Sequence, residues 1–120
     1  IPSREIYALV MINTDNEILL EQRPNSGIWG GLFSLPEACN ISQAKILAAK
    51  FIEQPKSEHL LEAFTHQFSH FKLNIRPIAW QNCAQKQQIR DNNQFRWVAR
   101  QQLAQLGLPA PIKKLLQDLP

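Results

Sequence analysis

The sequence is poor in the residues that staple small domains together. Only two cysteines, Cys39 and Cys83, stand among its 120 residues. Two cannot build a disulfide framework or a four-cysteine metal cluster, and a reduced, intracellular setting is the simplest expectation. No apolar run approaches the ~20 residues that a membrane-spanning helix requires. The opening Ile1-Pro2-Ser3-Arg4-Glu5 has no signal-peptide organisation, and the lack of a starting Met suggests a fragment of something longer. Excess charge is also scarce: 13 basic residues against 10 acidic leave a formal charge of +3. So mild an excess is compatible with a polyanionic partner without demonstrating one. What remains is 44% hydrophobic residues in a length that suits one domain, enough for an ordinary core and too apolar for a disordered chain.

The apolar run Ile6–Ile12, ended by Asn13-Thr14-Asp15-Asn16, reads as a strand buried on both faces. Glu17–Arg23 follows as its hairpin partner at the centre of a sheet. Pro24 stops that strand, and Pro24-Asn25-Ser26-Gly27 is a loop. The twin glycines Gly30 and Gly31, between Trp29 and Phe33, imply unusual φ or another backbone passing close by. Ile41–Glu53 has helical periodicity, with Ala44, Leu47, Ala48 and Phe51 on one face, Ser42 as its N-cap, and Pro55 forcing its end. Strands are predicted over Leu60–His66, Phe71–Ala79 and Phe95–Ala99, with Pro77 marking an edge or a bulge. Between the last two, Asn82–Asn93 is polar and reads as a loop. Gln101–Leu106 is a helical turn stopped by Gly107. Pro111 opens a final helix whose stripe is Ile112, Leu115, Leu116 and Leu119. Strands on both sides of a mid-chain helix, with another helix at the end, indicate an α/β sandwich around a mixed sheet, in one domain over 1–120.

The most unusual stretch is Phe64-Thr65-His66-Gln67-Phe68-Ser69-His70-Phe71-Lys72. A hairpin tip built only to reverse direction favours Asn-Gly, Asp-Gly or Gly-Gly. This one has neither glycine nor asparagine. It offers instead an aromatic ring at the tip, a hydroxyl that both donates and accepts, and two imidazoles. The plainer reading is a longer hairpin whose Phe68 and Phe71 pack into the core.

Gly31 and Glu37 hold the first two positions of the Nudix box, G-x5-E-x7-R-E-U-x-E-E-x-G-U, at the right spacing. In that motif, clustered glutamates on a helix face hold Mg²⁺ for diphosphate hydrolysis. The core of the box falls on Lys45-Ile46-Leu47-Ala48-Ala49-Lys50. Ile46, Ala49 and Lys50 replace all three helix glutamates, and Lys50 would repel a cation. The reading is a Nudix-like α/β/α scaffold without metal or catalytic residues of its own, in which Glu37 is a structural remnant.

Four segments then resemble the C-terminal domain of MutY-type adenine DNA glycosylases, in the family's order. They are Glu21-Gln22-Arg23-Pro24 with Ser26-Gly27-Ile28-Trp29-Gly30-Gly31-Leu32-Phe33; His66-Gln67-Phe68-Ser69-His70-Phe71; Phe95-Arg96-Trp97; and Gly107-Leu108-Pro109-Ala110-Pro111-Ile112. The resemblance spans essentially the whole chain. It implies a bacterial, cytoplasmic, monomeric base-excision-repair protein, in which a missing N-terminal domain carries a helix-hairpin-helix and a 4Fe-4S cluster and excises adenine. The present domain would contact 8-oxoguanine in the opposite strand, and its partners would be that N-terminal domain and duplex DNA with an A:8-oxoguanine or A:G mispair. Carried over, Phe68 lies beside the damaged pair, Ser69 bonds the 8-oxoguanine, and His70 supports the loop or a phosphate. His66, Lys72 and Arg23 are candidates for loop support or phosphate contact.

The chemistry agrees with those residue types. Oxidation turns guanine N7 from an acceptor into an N–H donor and adds a carbonyl at C8. A serine hydroxyl can accept from that N–H and donate toward O8. Undamaged guanine still offers N7 as an acceptor, so Ser69 alone is an imperfect filter. Two other classes of function compete: a free-standing Nudix pyrophosphohydrolase, against which the missing glutamates argue, and a protein-interaction module.

Overall fold

The computed structural model describes residues 2–55, 58–86 and 94–120. Its centre is a mixed sheet of eight strands. β1 (Ser3–Asn13) runs parallel to β7 (Lys72–Cys83), and every other pairing is antiparallel. β2 (Glu17–Gln22) follows β1 and is flanked by β3 (Phe33–Ser34) and β8 (Phe95–Ala99). β4 (Glu37–Ala38) adds to β1, and the far side of β7 takes β5 (His59–Leu60) and β6 (Phe64–Gln67). The expected α/β sandwich with a mixed sheet is what forms.

β1 explains its own apolar run. Ala8, Val10 and Ile12 join one core, with Leu73 and Ile75 of β7 and with Ile112 and Leu116 of helix α2 (Ala110–Gln117). Leu9 and Met11 face the other way, into a second core with Ala44, Ala48 and Phe51 of helix α1 (Ile41–Phe51). A strand whose successive side chains serve opposite layers must be apolar throughout. Each fully buried Leu, Ile, Val or Met side chain among them contributes about 1.5–3 kcal/mol. At its end, buried Asn13 donates to Glu17 Oε1 (2.9 Å) and Gln85 Oε1 (2.7 Å), and its own oxygen accepts from the N–H groups of Asp15 and Glu17. Asn16 completes the turn at φ 59°.

Several boundaries differ from expectation for identifiable reasons. The cap of α1 is Asn40, not Ser42: its side-chain oxygen accepts from Gln43 N–H at 2.9 Å. The helix ends at Phe51 rather than Glu53, because Ile52 turns extended to bridge Gln85 and Glu53 N–H donates to Ala84 C=O. The strand predicted over Leu60–His66 breaks into β5 and β6, while β7 continues past Ala79 to Cys83. Pro77 marks neither the sheet edge nor a bulge. It lies inside β7, opposite Ala8 on one side and at the gap between β5 and β6 on the other, where only its carbonyl is used, accepting from Leu61 N–H at 3.0 Å. The two-residue strands β3 and β4 are too short for a periodic pattern to mark them in the sequence. In the polar Asn82–Asn93 stretch, Asn82 and Cys83 belong to β7, and residues 87–93 lie outside the described residues. Arg100–Gln105 forms the expected short turn as a 3-10 helix.

Candidate nucleic-acid interface

The tip is the four-residue loop 68–71, closed below by the Gln67–Lys72 pair of β6 and β7. Phe68 N–H donates to Phe71 C=O at 2.8 Å. None of the four residues takes positive φ, so the turn needs neither glycine nor asparagine. Ser69 and His70 are exposed at its apex. Phe68 is not the free ring its position suggests: it is half-buried and packs against the core beneath.

What it packs on is an aromatic cluster from three parts of the chain. Phe68 stacks on Phe71 with centroids 4.7 Å apart and planes 17° apart. His66 meets Phe68 edge-on at 4.8 Å. The Trp29 indole lies 5.9 Å from His66 and 5.6 Å from Phe68. Alternation along β6 and β7 sorts the candidates by face. His66 and Phe64 share the face of Leu73 and Ile75, whereas Lys72 is on the opposite face with Asn74 and Arg76. His66 is therefore built into the base of the tip, and Lys72 is exposed on the other side of the hairpin.

Trp29 reaches this cluster because its loop is tightly cinched. Arg23 N–H donates to Leu32 C=O at 2.7 Å, and Gly31 N–H to Pro24 C=O at 2.9 Å. A Cβ on Gly30 would sit 2.4 Å from the carbonyl oxygen of Asn25, and Gly31 has φ +78°. Both explanations offered for the twin glycines thus hold, one at each position. Trp29 itself has φ 54°, an uncommon conformation for a bulky residue. Such strain persists only where the surroundings impose it. Trp80 and Trp97 are buried in the second core as framework residues.

Arg23 lies beneath the same loop, 3.5 Å from Glu37, with both side chains largely shielded from solvent. Burial pushes the Glu37 carboxyl above its ordinary range, and the Arg23 guanidinium pulls it back. The Nε of Arg23 is buried without a hydrogen-bond partner. Arg23 therefore serves as the counter-charge of Glu37 rather than as a free surface cation. A divalent metal does not fit here: the one glutamate of the box already has a cation, and Ile46, Ala49 and Lys50 supply no carboxylate. Among the described residues, no group of three or more His, Cys, Asp or Glu could hold a metal ion.

One neighbour of the tip carried no signal in the sequence. The guanidinium carbon of Arg4 lies over the Phe71 ring, 5.6 Å from its centroid. Nothing local in Ser3-Arg4-Glu5 announces a partner so far along the chain. The contact exists because β1 and β7 are parallel, with Arg4 in register with Leu73.

The sequence profile of the NUDIX domain family matches residues 7–118. The chain belongs to the Nudix domain family. Its curated relatives include the adenine DNA glycosylase of Buchnera aphidicola subsp. Acyrthosiphon pisum (strain APS), 29% identical over 116 residues, covering 96% of this chain and 33% of that protein. The adenine DNA glycosylase of Buchnera aphidicola subsp. Baizongia pistaciae (strain Bp) is 30% identical over 113 residues, covering 94% and 32%. This Nudix domain thus spans about a third of the length of the curated relatives it matches. Among solved structures, the C-terminal domain of mouse MUTYH, crystallised in complex with human PCNA, superposes with a TM-score of 0.76 at 16% identity, covering 94% of this chain and 84% of that one. The NUDIX domain of Shewanella oneidensis NrtR, in complex with ADP ribose, gives a TM-score of 0.72 at 16% identity, covering 98% and 86%. At that identity these structures establish the fold.

Proposed function

We propose that this Nudix domain is the lesion-recognition part of a bacterial adenine DNA glycosylase, contacting 8-oxoguanine opposite the mispaired adenine. The observation that carries the reading is the exposed Ser69-His70 apex on a braced aromatic base, in a chain whose relatives are named adenine DNA glycosylases. In this reading Ser69 bonds the oxidised edge of the guanine through N7–H and O8. His70 supports the loop or a phosphate. Phe68, half-buried in the base, sets the height of the apex beside the damaged pair. His66 braces the loop from below.

Adenine excision belongs to an N-terminal domain of the parent, which holds the 4Fe-4S cluster, and the present domain contributes recognition only. The substrate is duplex DNA in the cytoplasm, and the parent acts as a monomer. A mispaired adenine costs least to extrude, so a contact on the opposite strand favours the step that precedes cutting. One hydrogen bond of this kind contributes on the order of 1 kcal/mol net. Discrimination is therefore shared with the catalytic domain and the mispair geometry.

The test is Ser69→Ala in the full-length parent, comparing excision of adenine opposite 8-oxoguanine and opposite guanine. The preference for the oxidised partner should fall severalfold. An unchanged preference removes Ser69 from the reading. Release of phosphate or nucleoside monophosphate from 8-oxo-dGTP by the isolated domain with Mg²⁺ would replace it with a pyrophosphohydrolase.

A further inference from the structure

We infer that Arg4 grips a phosphodiester of the nucleic-acid strand lying across the tip, with Phe71 holding its guanidinium ready. The inference rests on the nucleic-acid reading above and deepens it by assigning a backbone contact to a residue outside the tip. Arg4 is exposed near the start of β1. That end of the strand lies against the base of the tip, because Lys72 N–H donates to Pro2 C=O at 2.9 Å. Alternation puts Arg4 on the face of Ile6 and Ala8, which is the face of Trp29, Phe68 and Phe71.

The charges around Arg4 leave it available. Glu5 points to the other face and accepts from Arg76 Nε at 3.0 Å. Glu37 is within electrostatic reach of Arg4, but Arg23 meets its charge at 3.5 Å. Two arginines therefore share one glutamate, and among the described residues Arg4 forms no ion pair of its own. The guanidinium carbon lies over the Phe71 ring, 5.6 Å from its centroid, and Phe71 is itself stacked on Phe68. A cation–π contact of this kind uses none of the guanidinium N–H groups in a hydrogen bond to oxygen. The planar fork of those donors suits two parallel hydrogen bonds to phosphate oxygens. An ordinary surface arginine must be ordered on binding, whereas this one is already held by the cluster that carries Ser69.

The test uses this chain with an 8-oxoguanine-containing duplex and the same duplex undamaged. Binding is followed by NMR at low salt, including the arginine Nε–Hε signals, and by affinity across a salt series. Arg4→Ala should weaken both duplexes equally, by about tenfold, and lower the slope of log affinity against log salt by about 0.9. Arg4→Lys should keep the slope and recover only part of the affinity. Ser69→Ala should change the lesion preference and leave the slope intact. An unchanged slope in Arg4→Ala, with Ser69 and His70 still shifted by DNA, overturns the Arg4 assignment and spares the recognition reading. No perturbation of Ser69 or His70 by either duplex, in this chain and in the full-length parent alike, overturns both.

Discussion

The indole of Trp29 stands 5.6 Å from the ring of Phe68 at an interplanar angle of 53°, joining the glycine loop to the hairpin tip. A tip of four residues has few contacts of its own, so its shape depends on what lies below. Here that support includes a half-buried tryptophan held at φ 54°.

Trp29→Ala should expose this dependence. Losing a half-buried indole should destabilise the domain by about 2 kcal/mol, below the 3–5 kcal/mol range for fully buried large aromatics. Urea denaturation measures that loss. The more telling readout is the backbone order parameters of residues 68–70, which should fall while those of β7 stay high. An unmoved tip would show that Phe71 and His66 suffice as its support.

Gly30, next to Trp29 in the chain, is not equivalent to Gly27. Gly30→Ala would drive a Cβ to 2.4 Å from the Asn25 carbonyl oxygen and 2.9 Å from its carbon, both backbone atoms that cannot swing aside. The expected cost is about 2–3 kcal/mol. Gly27→Ala meets nothing within 4 Å and suffers only from its φ of +88°, at about 1 kcal/mol. Denaturation midpoints should rank Gly30→Ala well below Gly27→Ala, with wild type highest. The reverse order would contradict the close approach on which the loop is built.

The helix cap offers a test of local geometry. Asn40→Ala should cost about 1 kcal/mol, since it removes the acceptor for Gln43 N–H. Ser42→Ala, at the exposed second position of the helix, should stay within about 0.5 kcal/mol. Thermal or chemical melts of the two variants side by side decide between the two caps.

The cap also illustrates where sequence reasoning succeeds. β8 is found at its expected bounds, and the buried face of α1 includes Ala44, Ala48 and Phe51 as its helical periodicity specifies. Asn40 and Ser42 are both competent caps, and only backbone geometry chooses between them. The division of Leu60–His66 into β5 and β6 is invisible locally, since no glycine or proline interrupts it; the gap stands opposite Pro77 of β7. The site divides along the same line. Phe68, Ser69 and His70 stood out as the wrong residues for a simple turn. The support from Trp29 and the contact from Arg4 depend on strand order and register, which local composition does not encode. Arg23 read as a plausible surface cation, yet tertiary structure gives it the glutamate left over from the box.

That glutamate makes the last prediction, on pH. Burial is the largest influence on Glu37 and raises its pKa above the ordinary 4.5; Arg23 lowers it, Glu21 raises it further, and Arg4 lowers it slightly. A carboxyl that ionises less readily when folded means that the folded chain holds more protons across that window. Its stabilising contribution is complete below the ordinary value and is lost as pH rises through the raised one. Glu37→Gln stays neutral at every pH and keeps an oxygen to which Arg23 can donate. Subtracting the unfolding free energy of the variant from that of wild type cancels the carboxylates common to both. The difference should fall as pH rises from about 4 toward neutrality. A difference that rises instead would place the folded pKa below the ordinary value. The Arg23 pairing would then outweigh burial, and Glu37 would be an ordinary ion-paired carboxylate rather than a buried remnant under the Trp29 loop.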